Sequence, residues 1–435
     1  MTSAEPRTRG MLKIGVESVR RRYENGVWNT LTVAVLYGGS IIVLMIGEIL
    51  LARLTSDRVF GEYSLVRQAI PMVCALGLLG YDQALTRETA ARRGGVPRVD
   101  THQVRRITAV LLIGMGVGTY LFLRAGTSFL PAAALTVTGA AVAVTNILSG
   151  GMRAIGHNAR GALAQQGYRL LAGIGLIVLS LLAMGDWGVA TLAIGAIFIA
   201  LWALRWNLTQ TTHWVPSSDE NRHMGRLGLG YSISLLALSL GDWLDQALVA
   251  ELSNDLAQVG EYSQAKLLAF YPSLSIGSIL GFVALPAIAR RRKHLHRVDV
   301  VRWMLAGLAA SAAISMLVVS GALWATEPLL GKTVDVRALL LLGLVGAVRL
   351  YYVLPSAVLG AVGTPAALAQ LGAWSLGGIA LQVLVTLTLV EPAGILVAAA
   401  AGLLASGVTR SIAGSALSLH HSENHRQLTT TDKAR

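Results

Sequence analysis

The chain has 435 residues, of which 54% are hydrophobic and only 14% charged, and its formal net charge is +13. Those proportions exclude an ordinary soluble enzyme and read as a polytopic membrane protein. The Lys and Arg residues cluster in polar links between apolar runs, so the positive charge follows membrane topology and does not point to nucleic acid. The single cysteine, Cys74, stands in an apolar run and cannot form an intramolecular disulfide.

Residues 1–27 read as a polar tail. Within it Leu12, Val16, Val19 and Tyr23 recur at helical spacing with Lys13, Arg20, Arg21 and Arg22 between them. The pattern predicts an amphipathic helix over Met11–Tyr23 lying on the membrane surface; an unstructured basic tail is the alternative. The first apolar run, from about Trp28, is too long for a signal-peptide core and has no small-residue cleavage site.

Twelve apolar runs follow, near 28–51, 63–84, 105–123, 130–151, 162–184, 187–206, 227–250, 262–288, 303–325, 336–360, 366–390 and 393–418. Each is long enough to cross a hydrocarbon layer about 30 Å thick. They divide the chain into a bundle over 28–206, a linker over 207–226, a second bundle over 227–419 and a tail over 420–435. Cations fill every second link. Arg87, Arg92, Arg93, Arg98, Arg105 and Arg106 follow span two, and Arg290, Arg291, Arg292, Lys293, Arg297 and Arg302 follow span eight. The alternate links are poor in them. An even span number then puts both termini on the cation-rich side, the cytoplasmic face of the inner (cytoplasmic) membrane, where those links also meet anionic headgroups.

The two bundles repeat one another. Gly61-Glu62-Tyr63-Ser64 at the start of span two returns as Gly260-Glu261-Tyr262-Ser263 at the start of span eight. The flanks Ala52-Arg53-Leu54-Thr55-Ser56-Asp57 and Ala250-Glu251-Leu252-Ser253-Asn254-Asp255 match, with one residue inserted before the second glycine. Arg67 and Lys266 occupy the same place after each motif. Ala162-Leu163-Ala164-Gln165 enters span five between Gly156 and Gly167, as Ala367-Leu368-Ala369-Gln370 enters span eleven between Gly363 and Gly372. The expected fold is an all-α membrane protein, with about twelve transmembrane helices in two pseudo-symmetric six-helix bundles of like orientation around a central cavity.

A charge within hydrocarbon costs several kcal/mol, so intramembrane charges are the functional candidates. Arg67 and Lys266, related by the repeat, are expected to face one another across the cavity and hold a phosphate or diphosphate between them, or else to snorkel to the outer headgroups. Arg349, mid-span, either contacts substrate or pairs with a carboxylate. Asp242 and Asp245 share a helix face. They either bind a coupling ion or serve as partners for Arg349 or Lys266. Glu48, Asp82, Arg169 and Arg410 lie near span ends and are read as interfacial.

No Walker-type loop, no histidine spacing for a metal and no Ser/His/Asp set is present, so no enzyme, cofactor or metal site is expected. The glycine pairs inside spans, such as Gly377-Gly378, fit helix packing.

The stretch from Glu48-Ile49-Leu50-Leu51-Ala52-Arg53-Leu54 to Gly61-Glu62-Tyr63-Ser64 resembles the first two helices of the Wzx-like O-antigen and exopolysaccharide flippases. Asp245-Gln246-Ala247-Leu248-Val249, then Gly260 to Leu267, resembles the start of that family's second half, and Arg153-Ala154-Ile155-Gly156 its helix four–five loop. The resemblance implies two six-helix bundles, alternating access and a polyprenyl-diphosphate-linked oligosaccharide as substrate. Related lipid II flippases carry cations on helices two and eight, where Arg67 and Lys266 stand. Membrane lipids and a polysaccharide polymerase or glycosyltransferases are the partners implied. The Asp242/Asp245 pair keeps a Na⁺- or H⁺-coupled multidrug exporter of the same superfamily as the alternative. A membrane scaffold without transport leaves the repeated cations without a role.

Overall fold

Every backbone N–H in a hydrocarbon layer needs an internal partner, and helices supply one without help from neighbours. The computed structural model describes residues 7–82, 84–85, 96–97, 101–124, 126–155, 157–210, 213–214, 217–291 and 295–431. The chain ends 1–6 and 432–435, Gly156, and the expected link cations Arg87, Arg92, Arg93, Arg98, Arg292 and Lys293 lie outside them.

The first bundle comprises α1 (Arg7–Leu54), α2 (Asp57–Leu78), α3 (Thr101–Leu123), α4 (Phe129–Ala154), α5 (Asn158–Leu181) and α6 (Gly188–Leu208). The second comprises α7 (Ser218–Ser253), α8, α9 (Arg297–Leu330), α10 (Val336–Val362), α11 (Pro365–Ala393) and α12 (Ile395–Thr431). α8 runs as Leu256–Ala265, a π-helical turn at Lys266–Phe270, and Tyr271–Arg291. The molecule is an all-α membrane protein of two six-helix bundles. In addition, β1 (Val96–Pro97) and β2 (His213–Trp214) pair in parallel and tie together two of the long links.

Polar residues set the helix starts. Ser56 caps α2 by accepting the Val59 N–H, and Ser217 with Glu220 forms a capping box on α7. Asp255 caps α8, Asp335 caps α10, and Thr364 with Pro365 opens α11. Asn254 ends α7 with φ of 52°, in the left-handed region that Asn tolerates. The α1–α2 and α7–α8 corners are therefore built alike, with Ser56 and Asp255 as matched caps.

One sequence expectation is corrected. The helix over Met11–Tyr23 does not stand apart on the surface; α1 continues unbroken from Arg7 into the first span. The intervening residues include one glycine, Gly26, and no proline. A lone glycine costs a helix only about 1 kcal/mol, too little to end it.

Among the described residues, ten of the helices are long and apolar enough to cross a membrane by length and composition. α2 carries Glu62 and Arg67, and α8 carries Glu261 and Lys266. Both helices are sheltered. Most of α2 from Phe60 to Leu78 is buried, as is α8 from Tyr262 to Tyr271. Between the bundles, α2 packs on α7 and α8, while α1 touches α8 and α9. The two polar helices thus meet at the pseudo-symmetry axis.

Candidate functional site

The repeated motif is the crossing point of the two bundles. A Cβ at Gly260 would lie 2.0 Å from the Asp57 carbonyl oxygen, and one at Gly61 would lie 2.2 Å from that of Leu256. Each glycine is therefore needed for the backbones of α2 and α8 to touch. The motif serines are joined through Gln246 on α7, whose Nε2 donates to Ser64 Oγ (3.1 Å) and Ser263 Oγ (3.0 Å). The tyrosines turn inward: Tyr63 donates to Glu48 Oε1 at 2.9 Å and Tyr262 to Asp245 Oδ2 at 2.8 Å.

Those carboxylates hold the repeated cations. Arg67 Nε lies 2.7 Å from Glu48, and Lys266 Nζ lies 2.8 Å from Asp245. Each half thus contains the same triad of carboxylate, tyrosine and cation. A proline follows both cations: Pro71 stands inside α2, and Pro272 follows the π-helical turn that begins at Lys266. A proline removes one backbone donor, and a π turn accommodates the extra residue.

The triads differ in exposure. Lys266 and Asp245 are both 0% exposed, and Lys266 also donates to the Asp242 carbonyl at 3.1 Å. An ammonium has three donors, and its contacts to Asp245 Oδ1, Asp245 Oδ2 and that carbonyl use all three. Arg67 is 20% exposed, stacks on Tyr271 at 4.2 Å from the ring centroid, and lines a cavity.

That cavity, about 270 Å³, lies between the bundles. α2 contributes Arg67 and Gln68, α5 contributes Tyr168 and Arg169, and α7 contributes Ser239 and Asp242. A second cavity of about 190 Å³ shares Tyr168, Arg169 and Ser239 with it and adds Asp82 and Gln165. Neither Lys266 nor Arg349 is among the lining residues of either. Arg349, 8% exposed, forms an ion pair with Asp242. Asp242 itself lines the larger cavity.

The structure thus places the five expected site residues in three ion pairs. Arg67 and Lys266 are not set against one another across the cavity; each sits on a carboxylate of its own half. Desolvation explains it, since a buried ammonium without a counter-charge is far less stable than a paired one. Asp242 and Asp245 share a face but serve different cations. Glu48 and Arg410, read as interfacial, are buried at 1% and 6% exposure. Distance from a span end does not reveal which face of a helix points into a bundle. Arg169, also read as interfacial, is half-buried in the cavity wall. It stands one turn after Gln165 of the repeated Ala-Leu-Ala-Gln stretch, and both residues line the smaller cavity, so that spacing was the available signal.

A latch closes the crossing end. Lys332, from the α9–α10 link, lies 2.7 Å from Asp57 and donates to the carbonyls of Ala52 (3.1 Å) and Thr55 (3.3 Å), while Gln264 donates to Asp57 at 2.7 Å. Lys332→Ala should change stability by no more than about 1 kcal/mol, because the pair is part-exposed. It should nonetheless speed the labelling of a Ser64→Cys variant by a polar maleimide, because Ser64 becomes reachable only when the crossing parts. Unchanged labelling would show that Lys332 does not hold the bundles together.

A family model described as "Polysaccharide biosynthesis protein" matches residues 27–291. No curated protein matches the chain. Several solved structures share the fold at low identity. An inward-facing multidrug resistance MATE family transporter of the MOP superfamily has a TM-score of 0.59 at 16% identity, covering 88% of this chain and 95% of that one. A MATE protein in complex with MaL6 scores 0.62 at 15% identity, covering 92% and 96%. A MOP superfamily transporter from Pyrococcus furiosus, described as having a binding pocket of reversed polarity, scores 0.59 at 17% identity, covering 93% and 95%. By the family model, which spans more than half of its length, the chain belongs to the polysaccharide biosynthesis protein family.

Proposed function

We propose that this protein moves a polyprenyl-diphosphate-linked oligosaccharide from the inner to the outer leaflet of the cytoplasmic membrane, by alternating access, for cell-surface polysaccharide synthesis. The observation that carries the reading is the pair of guanidiniums in one cavity wall. Arg67 and Arg169 both line the space between the bundles, and Glu48 alone offsets Arg67. Among the described residues Arg169 has no carboxylate within ion-pair distance; its Nε donates to the Tyr168 hydroxyl at 3.2 Å. Guanidiniums recognise phosphate oxygens through paired N–H donors, and two in one cavity wall suit a diphosphate. The amide of Gln68 and the hydroxyls of Ser239 and Ser275 in the same wall suit a glycan. The prenyl chain would stay in lipid.

The family membership supports this reading over a cation-coupled drug exporter, and so does the state of the acidic residues. Asp242 and Asp245 are already neutralised by Arg349 and Lys266, so a transported cation would have to displace an internal one. Of the two, Asp242 faces the cavity and is the one a coupling proton can reach. In this reading Lys266 and Asp245 pin the fold, and Arg67 and Arg169 meet the substrate. The polymerase or glycosyltransferases of the same pathway are the partners that would supply and consume the cargo.

Arg67→Ala and Arg169→Ala should each slow transport of the labelled lipid by about ten- to a hundredfold, the effect of losing one charge-assisted hydrogen bond or more. Lysine at either position should recover part of the rate. If both alanine variants transport normally, the assignment of this wall is wrong.

A further inference from the structure

The second bundle contains more positive than negative charge in its interior. Arg349 on α10 and Arg410 on α12 are 8% and 6% exposed. Arg349 uses one nitrogen, Nη2, on Asp242. Arg410 uses Nη2 on the carbonyl and hydroxyl of Ser234, at 2.8 and 2.9 Å, and lies over the Tyr352 ring at 4.8 Å from its centroid. Asp242 and Arg410 are electrostatic neighbours of Arg349, and Asp242 is the one carboxylate among them. The neighbouring Lys266 is already neutralised by Asp245. Three buried guanidinium nitrogens, Nε and Nη1 of Arg349 and Nε of Arg410, have no hydrogen-bond partner among the described residues.

Buried guanidinium donors require acceptors, and a buried excess charge requires a counter-charge. Asp242 balances one of the two cations. The remaining single positive charge, with N–H donors from both arginines, matches one monovalent anion.

We propose that the second bundle holds a small monovalent anion of the halide class between Arg349 and Arg410, separate from the cavity wall formed by Arg67 and Arg169. Asp242 lies between the two places, since it pairs with Arg349 and lines the cavity. The site does not depend on what the protein transports. Its role is to complete the packing of α7, α10 and α12.

The test is thermal unfolding of the purified full chain in detergent, in sodium chloride against sodium gluconate at equal ionic strength. The native chain should unfold several degrees higher in chloride, with a saturating concentration dependence, because a ligand that binds only the folded state raises its stability by mass action. Arg410→Gln should abolish that dependence. It removes no partner from a carboxylate, so it should still fold if Arg349→Gln does not. Arg337→Gln, at the exposed start of α10, should keep the dependence. In crystals grown in bromide, an anomalous peak should lie between the two guanidiniums. Equal midpoints in the two salts, or a chloride dependence that survives Arg410→Gln, would overturn the proposal.

Discussion

Lys266→Met should lower the stability of the protein by about 3–5 kcal/mol, a large fraction of the roughly 5–15 kcal/mol that holds a typical domain folded. The amine is fully buried with all its donors used, so its loss leaves Asp245 charged, buried and held only by Tyr262 and the Gln246 N–H. Unfolding in detergent would show the midpoint falling steeply. The double variant Lys266→Met with Asp245→Leu should regain most of the loss, because removing both charges removes the desolvation penalty together with the attraction. The same double variant separates two roles for Lys266. If it folds and still transports, the lysine is a pin within the second bundle. If it folds but cannot transport, the lysine does meet the substrate, as the repeat alone led one to expect.

Gly260→Ala should part the two bundles at their crossing. The added methyl would lie 2.0 Å from the Asp57 carbonyl oxygen, and backbone atoms on α2 cannot step aside as a flexible side chain can. Overpacking of this kind costs about 1–3 kcal/mol, which shifts a two-state equilibrium by about five- to 150-fold. The closed end should therefore open correspondingly more often, seen as faster labelling of Ser64→Cys or Ser263→Cys and as slowed transport. Gly61→Ala should act in the same way from the other side, where the nearest atom is the Leu256 carbonyl oxygen at 2.2 Å. Gly39→Ala, with open space around the position, is the control and should do neither. Slow labelling in both crossing variants would mean that the helices can re-pack around the methyl.

The fold was legible because its signals are local and repeated. Apolar runs mark the spans, and two copies of Gly-Glu-Tyr-Ser mark the halves. α2 and α8 were legible both as apolar runs and through that repeat, which also marks Arg67 and Lys266 as a matched pair. The ion-paired residues were legible in the sequence, but their partners were not. Arg67, Lys266, Arg349, Asp242 and Asp245 all take part in buried or cavity-facing ion pairs, but which cation meets which carboxylate depends on how the helices rotate about their axes. Glu48 illustrates the difficulty. It stands 15 residues before Tyr63, whereas Asp245 stands 17 before Tyr262, so the two carboxylates do not align although they do the same work. Arg169 was read as interfacial from its nearness to a span end, and the repeat gave no counter-signal, since Trp374 stands at the equivalent point after Gln370 in the second bundle.

In the function proposed above, the cavity wall of Arg67 and Arg169 conducts a diphosphate-linked glycan across the membrane. The most direct measurement reconstitutes the purified chain in vesicles with a fluorescent polyprenyl-diphosphate disaccharide and follows its exposure to a membrane-impermeant quencher. The account predicts that the label crosses faster than in empty vesicles and that the double variant Arg67→Ala, Arg169→Ala returns the rate to the empty-vesicle value. A native rate no faster than that of empty vesicles, with extrusion of a cationic dye from the same preparation under a sodium or proton gradient, would contradict it.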